Sequence, residues 1–268
     1  MMKSLEFTKM SGTGNDFIMI DNRERLFSGA EHKFFKTICK RRTSIGADGV
    51  ILVQHGNNTP VEMVYMNSDG RKAAMCGNGA RCAARFAFDL GMAQSTEFDL
   101  EVYGSIYPAS VKDAGVSIQF NSVVYAAPDL NISLKPAWKA GGLVQVGVPH
   151  YMVFVDSLES VPVAEYGARY RNDRAFPDGA NINFVEIRGE DAISVRTYER
   201  GVEGETLSCG TGSIAASCAS CRLMGVHTPV RVTTRGGILT VDAPEDWTSA
   251  VLTGPAVTVY KGVFADLP

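Results

Sequence analysis

Met75-Cys76-Gly77-Asn78-Gly79 and Ser208-Cys209-Gly210-Thr211-Gly212 are two copies of one pattern: cysteine, glycine, a small polar residue, glycine. Each is followed by a run of mostly small, apolar residues without proline. Such a run predicts a helix that is apolar on most sides and therefore buried. In the first, Ala80, Ala83, Ala84, Ala87 and Phe88 cover most of the circumference. Arg81, Arg85 and Asp89 recur at i, i+4 and i+8 and leave one polar stripe. In the second, Ile214, Ala215, Ala216, Cys218, Ala219 and Leu223 do the same, with Ser213, Ser217 and Ser220 between them. The first helix is predicted from about Gly79 to Leu90, with Gly91 just past its end. Asn78 and Thr211 are suited to cap the two helices. A core helix accounts for both helix bodies. It does not account for a thiol and two glycines at the start of each.

A free cysteine has a pKa of about 8.5, and a helix N-terminus lowers it. Glycine lets backbone N–H groups face a cavity with no Cβ in the way. Unpaired N–H groups at such a mouth favour carboxylates or phosphates. Two mouths of this kind point to an anionic substrate held between two proton-transfer groups, Cys76 and Cys209.

The rest of the chain repeats around these segments. The cysteines are offset by 209 − 76 = 133, and the helix ends at Gly91 and Gly225 by 134. Apolar strands closed by Asp21 and Asp156 are offset by 135, and the Asn67 turn matches Arg200 at 133. Landmarks agreeing in order indicate a duplicated plan. The predicted strands are short and separated by turn residues at hairpin-like distances. They cluster around one helix per half instead of alternating with helices. The expected fold is α+β: two pseudo-symmetric domains, each a mostly antiparallel sheet or barrel wrapped around a central helix. The expected boundaries are residues 1–121 and 122–255.

Composition excludes several classes. The chain has 268 residues, 45% of them apolar, with a net charge of -3, so no basic nucleic-acid face is implied. No apolar run reaches membrane-span length, and the N-terminus carries no apolar signal core, so a cytoplasmic protein is expected. Without an export signal, the six cysteines point to chemistry before disulfides. Cys218-x-x-Cys221 has no second pair and the four histidines are scattered, so no metal site is expected and that pair reads as helix core. Gly12-Thr13-Gly14 lacks the third glycine of a dinucleotide fingerprint, and no P-loop occurs.

Ser11-Gly12-Thr13-Gly14-Asn15-Asp16-Phe17, Gly46-Ala47-Asp48-Gly49, Asn67-Ser68-Asp69-Gly70, the first cysteine segment extended through Ala80-Arg81-Cys82, and Glu199-Arg200-Gly201 through Gly204 to Gly212 together resemble the diaminopimelate epimerase family over nearly the whole chain. The resemblance implies a cleft between the domains as active site, a last strand near Val257–Tyr260 (within residues 256–268) returning to the N-terminal domain, and a homodimer. It implies cofactor-independent epimerisation of LL-2,6-diaminopimelate to the meso isomer, with Cys76 and Cys209 as acid and base. Substrate contacts would fall on Asn15, Asn67, Gly77, Asn78, Asn181, Glu199, Arg200, Gly210 and Thr211. His150 and Glu199 would tune the thiols. Three positions depart from the family pattern: Val148 stands where asparagine is common, Ser44 where glycine is frequent, and one extra residue lies between Gly201 and Glu205. An asparagine at 148 would help hold the distal end of the substrate. Alternatives are a related racemase for another amino acid, a thiol redox protein and a non-catalytic binding module. The redox reading is disfavoured because neither cysteine site is C-x-x-C on a thioredoxin-like plan.

Overall fold

The computed structural model describes residues 4–127, 130 and 132–265. In chain order these form β1 (Leu5–Gly12), β2 (Asn15–Asp21), α1 (His32–Ile38), β3 (Gly49–Gln54), β4 (Val61–Asn67), α2 (Gly77–Asp89), β5 (Glu97–Val102), β6 (Ser105–Lys112) and β7 (Gly115–Phe120). There follow β8 (Val124–Ala127), β9 (Lys139–Val146), β10 (Val148–Phe154), α3 (Val163–Arg171), β11 (Asn181–Ile187), β12 (Ala192–Glu199), β13 (Gly204–Thr206) and α4 (Gly210–Met224). The last elements are β14 (Val230–Thr234), β15 (Gly237–Asp242), β16 (Ala250–Gly254) and β17 (Val257–Phe264). Two compact units divide the chain: one runs to Ile118 and resumes at Gly254, the other is Gln119–Thr253.

In the first unit the strands pair in the order β17-β1-β2-β3-β4-β5-β6-β7. The β2–β3 and β4–β5 pairs are parallel and the others antiparallel. The second unit has the order β8-β9-β10-β11-β12-β14-β15-β16, with β10–β11 and β12–β14 parallel. The sequence of strand directions is identical in the two units, which is the duplicated plan in backbone form. β13 is an addition, a short antiparallel partner of β12.

The sheets are mostly antiparallel and wrap a central helix, as expected. Each parallel pair, however, needs a crossover, so each unit holds two helices. α1 lies between β2 and β3, and α3 between β10 and β11. The helical spacing of residues 30–41 predicts the first as a surface helix, although α1 buries Phe34, Phe35 and Ile38. The sequence pattern does not predict α3. A strand with a helix on each face is buried on both faces and reads as a continuous apolar run. β2 is such a strand. Ile18 and Ile20 join Phe34, Phe35 and Ile38 of α1 in one core cluster. Phe17 lies on the opposite face, near Gly79 of α2. All these side chains except Phe34 are fully buried, and each contributes roughly 1.5–3 kcal/mol of transfer free energy. The second unit repeats this: Tyr151, Val153, Ile182 and Phe184 cluster with Val163 and Tyr170 of α3. By strand alternation, His150, Asn181 and Asn183 take the other face, toward α4.

Both central helices begin two residues earlier than the sequence suggests, and the capping assignment changes with them. Cys76 and Cys209 are themselves the N-caps, with extended backbones. Asn78 and Thr211 lie inside the first turn. The Gly79 N–H donates to Cys76 Sγ at 3.4 Å, so sulfur does the capping in α2, while α4 has no side-chain cap hydrogen bond among the described residues. The expected polar stripe of α2 also fails at its first member: Arg81 is fully buried, while Arg85 is half-buried and Asp89 exposed. On α4, Leu223 is exposed, while Cys218 is fully buried in the core.

The β1–β2 hairpin rests directly on α2. A Cβ on Gly12 would lie 2.7 Å from the Asn78 carbonyl oxygen, so only glycine permits the approach. The hairpin closes through Thr13 and Gly14, both at positive φ, the pattern of a two-residue primed turn.

Candidate active site

In the first unit, register brings the expected residues to one end of the sheet. Phe17 pairs with Gly49, and Gly49 with Asn67. The start of β2, the start of β3 and the end of β4 therefore coincide. Asn15, at the first position of β2, reaches α2, where Cys76 Sγ donates to Asn15 Oδ1 at 3.7 Å. The orientation of that amide is set from behind. Asn15 Nδ2 donates to Asp48 Oδ2 at 2.6 Å, and a carboxylate only accepts. The oxygen must then face the thiol. Asp48 is held by Arg41 at 2.8 Å, and Arg41 also binds Asp16, which pairs with Lys9 at 2.8 Å. Burial opposes the charge on Asp16, but its bonds to Arg41 and Lys9 outweigh this and hold it down at about 2. Gly77 and Asn78 are buried in the first turn of α2. Asn67 is exposed at the strand end, its backbone closed in a turn with Gly70 and Arg71.

The second unit arranges its thiol differently. His150 pairs in register with Asn181, and Ile182 with Tyr198 next to Glu199. His150 is fully buried. Its Nε2 lies 3.0 Å from Thr211 Oγ1, and Thr211 Oγ1 lies 3.5 Å from Cys209 Sγ. Its Nδ1 faces Asn183 Nδ2 at 3.2 Å. The Asn183 amide is fixed in turn: Thr197 Oγ1 donates to its oxygen at 2.9 Å, and its nitrogen also approaches the Tyr151 carbonyl at 3.4 Å. Asn181 Nδ2 also approaches Nε2, at 3.5 Å, but the shorter contact of the Asn183 amide at Nδ1 makes Nδ1 the acceptor and assigns the ring proton to Nε2. The chain then runs Thr197 to Asn183 to His150 to Thr211, and the threonine hydroxyl is left to donate to Cys209. Burial, aided by the positive charge of Arg200, pushes His150 down to about 3. The imidazole is therefore neutral at working pH. It can act on the thiol through a hydrogen bond relayed by Thr211, and not as a cation.

Asn181 Oδ1 accepts from the Arg200 N–H at 2.7 Å. Arg200 Nη1 donates to the carbonyls of Asp178 and Gly179. No carboxylate pairs with Arg200 among the described residues. Gly210 is buried in the first turn of α4, and Glu199 ends β12 half-buried. Gly212 is required by the relay, since a Cβ there would lie 2.5 Å from Asn183 Oδ1 and 3.3 Å from Cys209 Sγ.

Three of these residues escaped the sequence reading: Asp48, Asn183 and Thr197. Asn183 carried a usable signal. A buried amide between Ile182 and Phe184 must find partners, and on that strand face its neighbour is His150. The four other cysteines are buried or half-buried. Burial raises their thiols, with Cys39 and Cys82 at about 12, so they remain unreactive thiols. No group of side chains able to hold a metal ion occurs among the described residues, and no helix among them is long and apolar enough to cross a membrane.

The model of one family, described as diaminopimelate epimerase, matches residues 7–125 and 142–259. A diaminopimelate epimerase of Chlorobaculum tepidum is 42% identical over 258 residues, covering 94% of this chain and 98% of the relative. One from Archaeoglobus fulgidus is 39% identical over 276 residues, covering 97% and 96%. Among solved structures, a phenazine biosynthesis protein of the PhzF family from Bacillus anthracis superposes with a TM-score of 0.75 at 14% identity, covering 98% of this chain and 99% of that one. A hydroxyproline epimerase from Agrobacterium vitis gives 0.68 at 16% identity, covering 98% and 93%. At such identities the structures share the fold alone.

Proposed function

Since this chain belongs to the diaminopimelate epimerase family, we propose that it inverts the α-carbon of LL-2,6-diaminopimelate to give the meso isomer, with Cys76 and Cys209 as the two bases and no cofactor. The observation that carries this reading is a cysteine at the N-cap position of each central helix, each thiol beside a polar group, Asn15 or Thr211. One thiolate takes the α-proton and becomes a thiol. The other thiol gives its proton to the opposite face of the same carbon and becomes a thiolate. The charge that develops on the α-carboxylate needs donors already in place. Backbone N–H groups of Gly77, Asn78, Gly210 and Thr211 supply them. Asn15 serves Cys76, and His150 serves Cys209 through Thr211. Asn67, Asn181, Glu199 and Arg200 read the distal amino-acid head, with Arg200 turning its guanidinium to a carboxylate. Glu199 also tunes a thiol.

The test is turnover in heavy water. LL-diaminopimelate should yield meso product carrying deuterium at the inverted carbon. A panel of L-amino acids should show no faster substrate; one lacking a distal amino-acid head would remove the role given to Arg200.

The working form is a homodimer in the cytoplasm. Chemistry carried by free thiols requires a reducing compartment. β17 pairs with β1 along one edge and exposes Val257, Val259, Tyr260 and Val263. Apolar exposure of that extent along one strand is the mark of an interface. Sedimentation should give twice the chain mass, and Val259→Glu together with Val263→Glu should shift it to the monomer; a wild-type monomer would overturn the dimer.

A further inference from the structure

Arg81 is an anomaly in the first unit. It is fully buried one turn inside α2, yet forms no ion pair among the described residues. Its guanidinium donates to Thr13 Oγ1 at 2.7 Å, Asn78 Oδ1 at 2.9 Å, the Gly77 carbonyl at 3.2 Å and the Pro255 carbonyl at 3.4 Å. All four acceptors are neutral. Burying a cation without an anion is costly. Burial does pull Arg81 down, but only to about 10, so it stays charged at neutral pH. In the repeat the same position, five residues after Cys209, is Ile214. The cation is therefore not a requirement of the fold plan.

We propose that Arg81 is a positioning residue for the reaction, which turns the Asn78 amide nitrogen toward the mouth of α2 and holds positive charge behind Cys76 for an anion arriving there. A guanidinium only donates, so Asn78 must present its oxygen to Arg81 and its N–H₂ to the other side. The same fork reaches Thr13, which sits at positive φ in the hairpin turn, a strained state for a β-branched residue. Arg81 thus ties the hairpin that carries Asn15 to the helix that carries Cys76. Asp16, Asp48, Lys9 and Arg41 form a network behind Asn15 at the edge of this corner, from β1, β2 and the loop before β3, and their two negative and two positive charges balance. Arg81 leaves the corner net positive. The anion it would meet is a substrate carboxylate, so the inference rests on Cys76 being a reactive thiol at the substrate site.

Alkylation of Cys76 tests the charge without requiring turnover. The rates with iodoacetate and iodoacetamide are followed on the Cys76 peptide by mass spectrometry, and their ratio is divided by that for N-acetylcysteine. The normalised ratio should exceed one by about tenfold at low salt, the scale of electrostatic focusing. Arg81→Met should bring it to about one, and Arg81→Lys should keep most of it. Arg81→Lys loses the fork, and should lower kcat/KM by about 10- to 100-fold through misplacement of Asn78 and Thr13. A wild-type ratio equal to that of N-acetylcysteine overturns the proposal, even if no variant folds. So does an unchanged ratio in Arg81→Met, or full kcat/KM in Arg81→Lys. Failure of the epimerase reading would look different: no inversion by the wild type, with the alkylation preference intact.

Discussion

Serine at position 76 or 209 should lower inversion of LL-diaminopimelate by about 10²- to 10⁴-fold, the usual weight of a general acid or base. A hydroxyl is almost never ionised near neutral pH, whereas a thiol of pKa about 8.5 needs only a modest push. Each cysteine must spend half of the cycle as thiolate and half as thiol, so either replacement stops both directions. The neighbours are built for that exchange. Cys76 accepts from the Gly79 N–H and donates to Asn15. Cys209 meets the Thr211 hydroxyl, which takes a hydrogen bond from His150 and donates to the sulfur. Activity is read as meso product and as α-deuterium incorporation, with KM expected to change little. Wild-type turnover by either serine variant would end the two-base scheme. Binding without any solvent exchange in the unaltered enzyme would leave only a binding module.

Stability should fall steeply as pH drops from about 6.5 toward 3, and His150 should be responsible. In the folded chain its imidazole is neutral down to about 3, while in the unfolded chain it takes a proton near 6.5. The unfolded state therefore binds more protons throughout this window, and stability rises with pH across it. The contribution is complete above 6.5 and amounts to about 4–5 kcal/mol there. Asp16 acts in a separate, lower window: its folded value is depressed from 3.8 to about 2, so its contribution is lost only below pH 4. Urea unfolding at a series of pH values separates the two. In His150→Gln the slope between pH 6.5 and 4 should largely vanish, and a slope equal to that of the wild type would show that the imidazole is charged in the folded state.

The duplicated plan was legible because it is written in spacing, and spacing survives divergence. Cys76 and Cys209, the helix ends and the Asp21 and Asp156 strand ends keep their intervals even where identities differ. The second crossover helix was not legible. α3 contains Gly167, which reads as a weak point in a helix. Its reason lies across the chain: a Cβ there would meet Tyr198 at 2.4 Å, so the glycine exists to let α3 lie on β12. The caps were misread because local preference favours asparagine and threonine over cysteine. At α2 sulfur takes the position, and the reactive atom itself meets the Gly79 N–H. Arg81 was assigned to a solvent stripe because charge at helical spacing is normally solvated. Nothing local distinguishes a guanidinium that serves four buried acceptors.

The pairing of β17 with β1 also fixes an order of events during synthesis. β1 is among the first described elements made, and its outer partner is the last. Until Val257–Phe264 leaves the ribosome, the first unit carries an open sheet edge, a template for pairing with other chains. The second unit is continuous in sequence, from Gln119 to Thr253, so it can close while the first still waits. The half that holds Cys76 is started before the half that holds Cys209 but is closed after it. Losing β17 would therefore damage the unit that holds Cys76.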